Sequence, residues 1–98
     1  MTQGEHDRRS VRVRIEGRVQ GVGFRYWIER VARELDLAGW VRNRRDGSVE
    51  ALLSGPAEQV GEMLDRACEG PAGAVVTSVR IFEEGGDAPG GFDVLPTA

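Results

Sequence analysis

Six consecutive residues have the types and spacing best suited to chemistry: Gln20, Gly21, Val22, Gly23, Phe24 and Arg25. Gly21 and Gly23 let the backbone adopt conformations that other residues disfavour, so that its N–H groups can approach a ligand closely. The unpaired N–H groups at the start of a helix attract anions, and Arg25 adds a permanent, planar positive charge. The segment therefore predicts a phosphate-binding loop, the alternative being a tight turn with a surface arginine.

The loop differs from the two common nucleotide-binding motifs. A Walker loop requires a lysine, whereas all 13 basic residues of this chain are arginines. A dinucleotide-binding Gly-x-Gly-x-x-Gly motif requires a third glycine where this chain has Tyr26. The single histidine, His6, and the single cysteine, Cys68, provide neither a metal cluster nor a Ser-His-Asp arrangement. We therefore expect no metal and no cofactor.

The elements that must position the loop follow from the hydrophobic periodicity. Apolar and charged residues alternate from Val11 to Glu16, which predicts a strand before the loop, and apolar residues at helical spacing from Phe24 to Leu35 predict a helix after it. Asp46-Gly47 predicts a two-residue hairpin turn, and Gly55-Pro56 opens a second helix. The remaining predicted strands cover residues 38–45, 49–53, 75–83 and 92–95.

This order of elements predicts an α+β fold of the ferredoxin-like split βαβ type. Both helices are expected on one face of an antiparallel sheet of four to five strands. The length of 98 residues indicates one domain spanning 1–98, with residues 1–9 as a disordered tail. We expect a monomer, since nothing in the sequence demands a partner chain.

The overall charge and hydropathy exclude several classes of partner. The formal charge of −3 argues against nucleic-acid binding, for which a basic surface is typical. The strand at 49–53 also lacks the aromatic residues on which an RNA-binding sheet stacks bases. No apolar stretch approaches the roughly 18–20 residues of a membrane span. A single cysteine and the lack of a secretory signal predict a cytoplasmic location.

Two longer motifs resemble the signatures of the acylphosphatase family. They are the segments 17–25 (GRVQGVGFR) and 39–49 (GWVRNRRDGSV), within a similarity that runs from about residue 11 to residue 94. The resemblance implies metal-independent hydrolysis of a small acyl phosphate to a carboxylate and inorganic phosphate. It also implies that the backbone from Gln20 to Phe24 cradles the phosphoryl oxygens, that Arg25 binds phosphate, and that Asn43 positions the attacking water. An asparagine is too weak a base to deprotonate that water, so the resemblance implies that the substrate's own phosphate accepts the proton.

Some alternatives stay open at this point. The same loop could serve a non-catalytic, phosphate-binding regulatory module, since acylphosphatase-like domains occur within larger maturation proteins. Three arginines of the second motif, Arg42, Arg44 and Arg45, either make the site entrance positive or only solvate a strand. Asp36 stands where family members often have a glycine as a left-handed helix cap, and this predicts a slightly weakened helix end. Several small acyl phosphates share the phosphoryl group that the loop is expected to hold.

Overall fold

The computed structural model describes residues 7–98, which form one five-stranded sheet and two helices. The elements in chain order are β1 (Arg8–Arg18), α1 (Phe24–Glu34), β2 (Ala38–Asn43), β3 (Val49–Pro56), α2 (Ala57–Ala67), β4 (Val75–Glu84) and β5 (Phe92–Val94). The strand order across the sheet is β4-β1-β3-β2-β5. The predicted ferredoxin-like α+β architecture is confirmed.

One face of the sheet and the inner faces of both helices enclose a single core. β1 contributes Val11, Val13 and Ile15, which alternate along the strand and are fully buried. From α1, Phe24 and Ile28 lie one helical turn apart and are buried in the same cluster. The residues between the buried positions of β1 are arginines on the opposite face of the sheet. Burial of the apolar face therefore explains both the strand and the helix periodicities.

The topology brings the ends of two strands to one edge of the molecule. β1 and β2 each pair antiparallel with β3, so they run parallel to each other and finish at the same end of the sheet. Ile15, Val49 and Asn43 lie in one row across the three strands. Because α1 follows β1, the N-terminus of α1 lies at the end where β2 finishes with Asn43.

The sheet is mixed: β1 to β4 pair antiparallel, as the sequence predicts, and β5 is the exception. β5 pairs parallel with β2, at the opposite edge from β4. Five strands span about 19 Å, which the link 85–91 can cross because it can reach about 25 Å. The register places Glu84 of β4 and Phe92 of β5 in one row across the sheet, so β5 begins at the end where β4 stops. Gly85 N–H donates to Ser10 O (2.7 Å) and Gly39 N–H donates to Gly91 O (2.9 Å), which anchors the two ends of the link.

Three predicted boundaries also require correction, one of them the end of β3, which extends to Pro56 instead of residue 53. The predicted tail at 1–9 overlaps β1, since Arg8 and Arg9 pair with Pro56 and Gly55. This pairing uses backbone groups, so the two arginines show no apolar alternation that would predict a strand. Residues 1–6 of that tail, with His6, lie outside the described residues. β2 ends at Asn43, two residues before the predicted end of that strand.

Arg44 and Ser48 pair with each other beyond the ends of β2 and β3, so the hairpin loop consists of residues 45–47. A two-residue Asp-Gly turn was predicted here. Arg44 N–H donates to Ser48 O (2.8 Å), and Gly47 N–H donates to Arg44 O (3.1 Å). Gly47 has φ 96°, so a turn is followed by one residue in the left-handed region, a common alternative to the two-residue turn. Asp46 Oδ1 accepts hydrogen bonds from the N–H (2.9 Å) and the hydroxyl (2.6 Å) of Ser48, which stabilises this longer turn.

Candidate active site

The loop between β1 and α1 leaves the first N–H groups of the helix without helical partners. Gly21 and Gly23 have φ of 77° and 78°, and Gly23 is the N-cap of α1. The first intrahelical hydrogen bond runs from Trp27 N–H to Gly23 O (3.0 Å), so the N–H groups of residues 24–26 have no partner within the helix. No side chain caps this end, and its first turn contains no acidic residue. The helix therefore begins with a local excess of positive charge.

The two loop glycines border open space. A Cβ placed on Gly21 or Gly23 would meet no atom within 4 Å. The positive φ of each residue would strain any larger residue, although nothing blocks one sterically. Phe24, which is 1% exposed, anchors the start of α1 in the core next to this open space. The loop thus combines a fixed backbone with an unobstructed approach.

Arg25 lies in the first turn of α1 and is half-buried. Its guanidinium carbon lies 5.6 Å from the centre of the Tyr26 ring, within the range of a cation–π contact. Within residues 7–98 the guanidinium forms no ion pair. Its donors remain available for an external anion.

Asn43 is the last residue of β2 and faces the helix side of the sheet. It alternates with Val41, which is fully buried in the core. Its Oδ1 is buried, and no group among residues 7–98 donates a hydrogen bond to it. Its backbone oxygen accepts a hydrogen bond from Ala98 N–H (3.0 Å). A buried amide oxygen without a partner is costly, so a donor such as a bound water molecule fits this position.

Gln20 connects the loop to the hairpin that follows Asn43. Its Nε2 donates to Arg44 O (2.7 Å) and to Ser48 O (2.9 Å). The sequence had indicated only a backbone role for Gln20, and no periodicity or spacing signals a contact 24 residues away. The loop and Asn43 thus share one end and one side of the sheet, and the Gln20 side chain fixes their relative position.

Arg42 and Arg44 neither line the loop nor simply solvate the strand. Both bind Oε1 of Glu50, at 2.9 Å from Arg42 Nε and 3.1 Å from Arg44 Nη1, on the face of the sheet away from the helices. Glu50 is 1% exposed. Burial raises the pKa of Glu50, but hydrogen bonds from Arg12 and Arg42 outweigh burial and leave its pKa below the ordinary value. No spacing or periodicity in the sequence predicts this cluster.

A cavity of about 340 Å³ beside the hairpin is less suited to an anion. It is lined by Glu16, Gly17, Asp46, Gly47 and Ser48. The Ser48 hydroxyl and backbone N–H hold the pKa of Asp46 below its usual value, so this carboxyl stays charged. Two carboxylates would repel a phosphate there. In residues 7–98, no group of three or more His, Cys, Asp or Glu side chains is arranged to hold a metal ion.

Neither helix of the described chain is long and apolar enough to cross a bilayer.

Comparisons with known proteins cover the loop, Asn43 and both helices. A family model described as acylphosphatase matches residues 11–94. An acylphosphatase of Rhodopseudomonas palustris is 53% identical over 85% of this chain and 78% of its own length. An acylphosphatase of Rhizobium meliloti is 52% identical over 90% of this chain and 94% of its own. Among solved structures, an acylphosphatase from Coxiella burnetii has a TM-score of 0.87 at 35% identity, covering 97% of this chain and 100% of that one.

Proposed function

The chain belongs to the acylphosphatase family, and on that premise we propose that loop 20–25 holds the phosphoryl group of an acyl phosphate while Asn43 positions the attacking water. The reaction is hydrolysis of the carboxyl–phosphate bond to a carboxylate and inorganic phosphate. The observation that carries the assignment of the loop is the start of α1, which has neither a cap nor an acidic residue.

Three kinds of group act on the phosphoryl oxygens in this proposal. The N–H groups at the start of α1 donate hydrogen bonds, and the helix dipole adds positive potential at the same place. Arg25 supplies a planar guanidinium that is not neutralised by a carboxylate of residues 7–98. Negative charge on the transferring group is thereby stabilised, and charge stabilisation and positioning are the main requirements of phosphoryl transfer.

Asn43 orients the nucleophile. Its Oδ1 accepts a hydrogen bond from the water, which attacks phosphorus on the side opposite the carboxylate. The new P–O bond forms as the bond from phosphorus to the carboxyl oxygen breaks, and the carboxylate leaves with the electron pair. Because the carboxamide is not a base, a phosphoryl oxygen takes the water's proton. The carboxylate is a good leaving group, so the reaction requires no metal.

Kinetics with acetyl phosphate and benzoyl phosphate in the presence of EDTA test the proposal. Arg25→Gln is expected to raise the inhibition constant of inorganic phosphate and to lower kcat/KM by about 100-fold, the scale of losing one oxyanion-type contact. Arg30→Gln, on an exposed residue of the same helix, is the control for charge and is expected to behave like wild type.

Asn43→Ala is expected to lower kcat chiefly and to leave phosphate inhibition near the wild-type value. An Asn43→Ala enzyme as fast as wild type would remove Asn43 from the mechanism. Hydrolysis of ATP or of a simple phosphate monoester at comparable rates would contradict the substrate class. Tight phosphate binding with no turnover of any acyl phosphate would favour a regulatory module instead.

The proposal extends to the state and location of the protein. All the groups named in the mechanism lie on one chain, which supports a monomer as the active form. The single cysteine allows no intramolecular disulfide, which is compatible with a reducing cytoplasm. Light scattering of the active enzyme tests the first point, and cell fractionation tests the second.

A further inference from the structure

The residues on either side of Asn43 are held by one buried carboxylate. Arg42 precedes Asn43 and Arg44 follows it, and both donate to the same oxygen, Oε1 of Glu50. The other oxygen, Oε2, accepts a hydrogen bond from Arg12 Nη2 at 2.8 Å. Glu50 lies directly opposite Arg42 in the β2–β3 register. One side chain of β3 therefore holds the end of β2 and also joins it to β1.

The arginine side chains that reach Glu50 are themselves fixed. The guanidinium carbon of Arg42 lies 4.8 Å from the centre of the Trp40 ring, and that of Arg12 lies 5.4 Å from the centre of the Phe82 ring. Stacking of this kind restricts the guanidinium planes, so the hydrogen bonds to Glu50 have a defined direction. Glu50 itself is 1% exposed.

We propose that Glu50 is a positioning residue for the reaction: by holding Arg42 and Arg44 on the outer face of the sheet, it fixes the direction in which Asn43 presents its carboxamide on the inner face. The inference rests on the proposed role of Asn43. Side chains of successive strand residues point to opposite faces, so fixing the two neighbours on one side sets the orientation of the residue between them.

This support is needed because Asn43 stands at the end of its strand. Beyond it the chain leaves the sheet for the hairpin loop, and the Asn43 Oδ1 has no donor among residues 7–98 to hold it. A water molecule aimed at phosphorus tolerates little displacement, since a misplacement of about 1 Å can cost about 100-fold in rate. Without its charge, Glu50 would leave three guanidinium groups crowded together, and these would separate.

The test is a double-mutant cycle on the full chain, measuring kcat, KM and inhibition by inorganic phosphate. Glu50→Gln is expected to lower kcat about tenfold while KM and the phosphate inhibition constant stay within about twofold of wild type. In the Asn43→Ala background, Glu50→Gln is expected to cause no further loss of kcat, because the group it positions is gone.

The matched control is Glu83→Gln. Glu83 also binds Arg12, at 3.1 Å, but is not paired with Arg42 or Arg44. Glu83→Gln removes the same charge from the same face of the sheet, and the kcat of this variant is expected to stay within about twofold of wild type. Should Glu50→Gln fold poorly, Arg44→Gln removes one of the two contacts beside Asn43 from a residue that is one-third exposed, and a smaller loss of kcat is expected, again absent in the Asn43→Ala background.

A wild-type kcat for Glu50→Gln would overturn the inference. So would an equal loss of kcat in both backgrounds, since a merely structural defect reduces the amount of folded enzyme whatever stands at position 43. These results leave the effect of Asn43→Ala itself intact, and so differ from a failure of the proposed function. If Asn43→Ala alone has no effect on kcat, both the proposed role of Asn43 and the positioning role of Glu50 are wrong.

Discussion

Gln20 illustrates how one side chain sets the geometry of two segments that are distant in sequence. Its amide nitrogen donates to the backbone oxygens of Arg44 and Ser48, in the hairpin that follows Asn43. The loop is thereby tied to the hairpin by a side chain as well as by its own backbone conformation. An amide is required because only its NH₂ group offers two donors without a charge.

Replacing Gln20 by glutamate replaces the donor of these two hydrogen bonds with an acceptor. In Gln20→Glu a carboxylate would face two carbonyl oxygens with no proton to donate, and we expect the free energy of unfolding to fall by about 1–3 kcal/mol, with a loss of kcat. Urea denaturation measures the first effect. Gln59→Glu, on α2, makes the same chemical change away from the loop and serves as control. Equal stability of Gln20→Glu and wild type would mean that the contact does not hold the loop.

Among the elements, the end of α1 shows the cost of a residue in the left-handed region. Asp36 has φ 57°, and it is the one residue other than glycine with a positive φ in residues 7–98. Asp36 N–H donates to Arg33 O (3.1 Å) and Leu37 N–H donates to Ala32 O (2.8 Å), which is the Schellman pattern of a helix C-terminus. Position 36 thus adopts the left-handed conformation for which family members often carry a glycine, and the weakening of the helix end by Asp36 stays a prediction.

Asp36→Gly is expected to stabilise the protein. Glycine adopts this conformation without the strain of a Cβ, and the gain, reduced by glycine's greater freedom in the unfolded chain, is about 0.5–1 kcal/mol. Thermal denaturation measures it as a rise in Tm. Asparagine also tolerates a positive φ, so the Tm of Asp36→Asn is expected to lie between those of wild type and Asp36→Gly. A lower Tm for Asp36→Gly would show that the Asp36 side chain contributes something that the backbone geometry does not explain.

The elements also show which parts of the fold the sequence predicts. The strand, loop and helix from Val11 to Leu35 were predicted because burial of one face gives the apolar residues of each element a recognisable period within that element. The direction of β5 was not predicted, because a three-residue strand carries no periodic pattern and its direction depends on where the link 85–91 delivers the chain. The hairpin loop was predicted one residue too short because Arg44, and not Arg45, pairs with Ser48, and Asp46 accepts hydrogen bonds from Ser48 within this longer turn.

The same distinction applies to the candidate site. Arg25, Asn43 and the loop glycines stand in motifs that are legible in the sequence, and the topology places them at one end of the sheet. The contacts of Gln20 and Glu50 depend on which residues pair across the strands, so they cannot be predicted until the register is known. The supporting residues of this site therefore required the structure, whereas the residues proposed to touch the substrate did not.

At the scale of the whole molecule, the carboxylates that hold arginines make stability depend on pH. Burial raises the pKa of Glu50, but the hydrogen bonds from Arg12 and Arg42 prevail, so its pKa in the folded protein lies below the ordinary value. Hydrogen bonds from Ser48 lower the pKa of Asp46 in the same direction. With a lower pKa in the folded state, the unfolded chain binds more protons, and acidification favours unfolding.

We expect the free energy of unfolding to fall as the pH drops below about 4–5, through the range in which an ordinary glutamate protonates. Glu50→Gln is expected to be less stable than wild type at pH 7, by about 1–3 kcal/mol, because three arginines lose their shared partner. The difference between the two proteins should shrink as the pH falls. Denaturant titrations at several pH values measure it, and a constant difference from pH 7 to pH 3 would contradict the account.

Titration of ¹⁵N-labelled protein with inorganic phosphate, followed by NMR, tests the binding of a phosphoryl group at the start of α1 most directly. The account predicts saturable shifts that are largest for the backbone amides of residues 21–25 and for the Asn43 side-chain amide, with a weaker Kd in Arg25→Gln. Shifts centred on the cavity lined by Glu16 and Asp46, or binding of unchanged strength in Arg25→Gln, would contradict it.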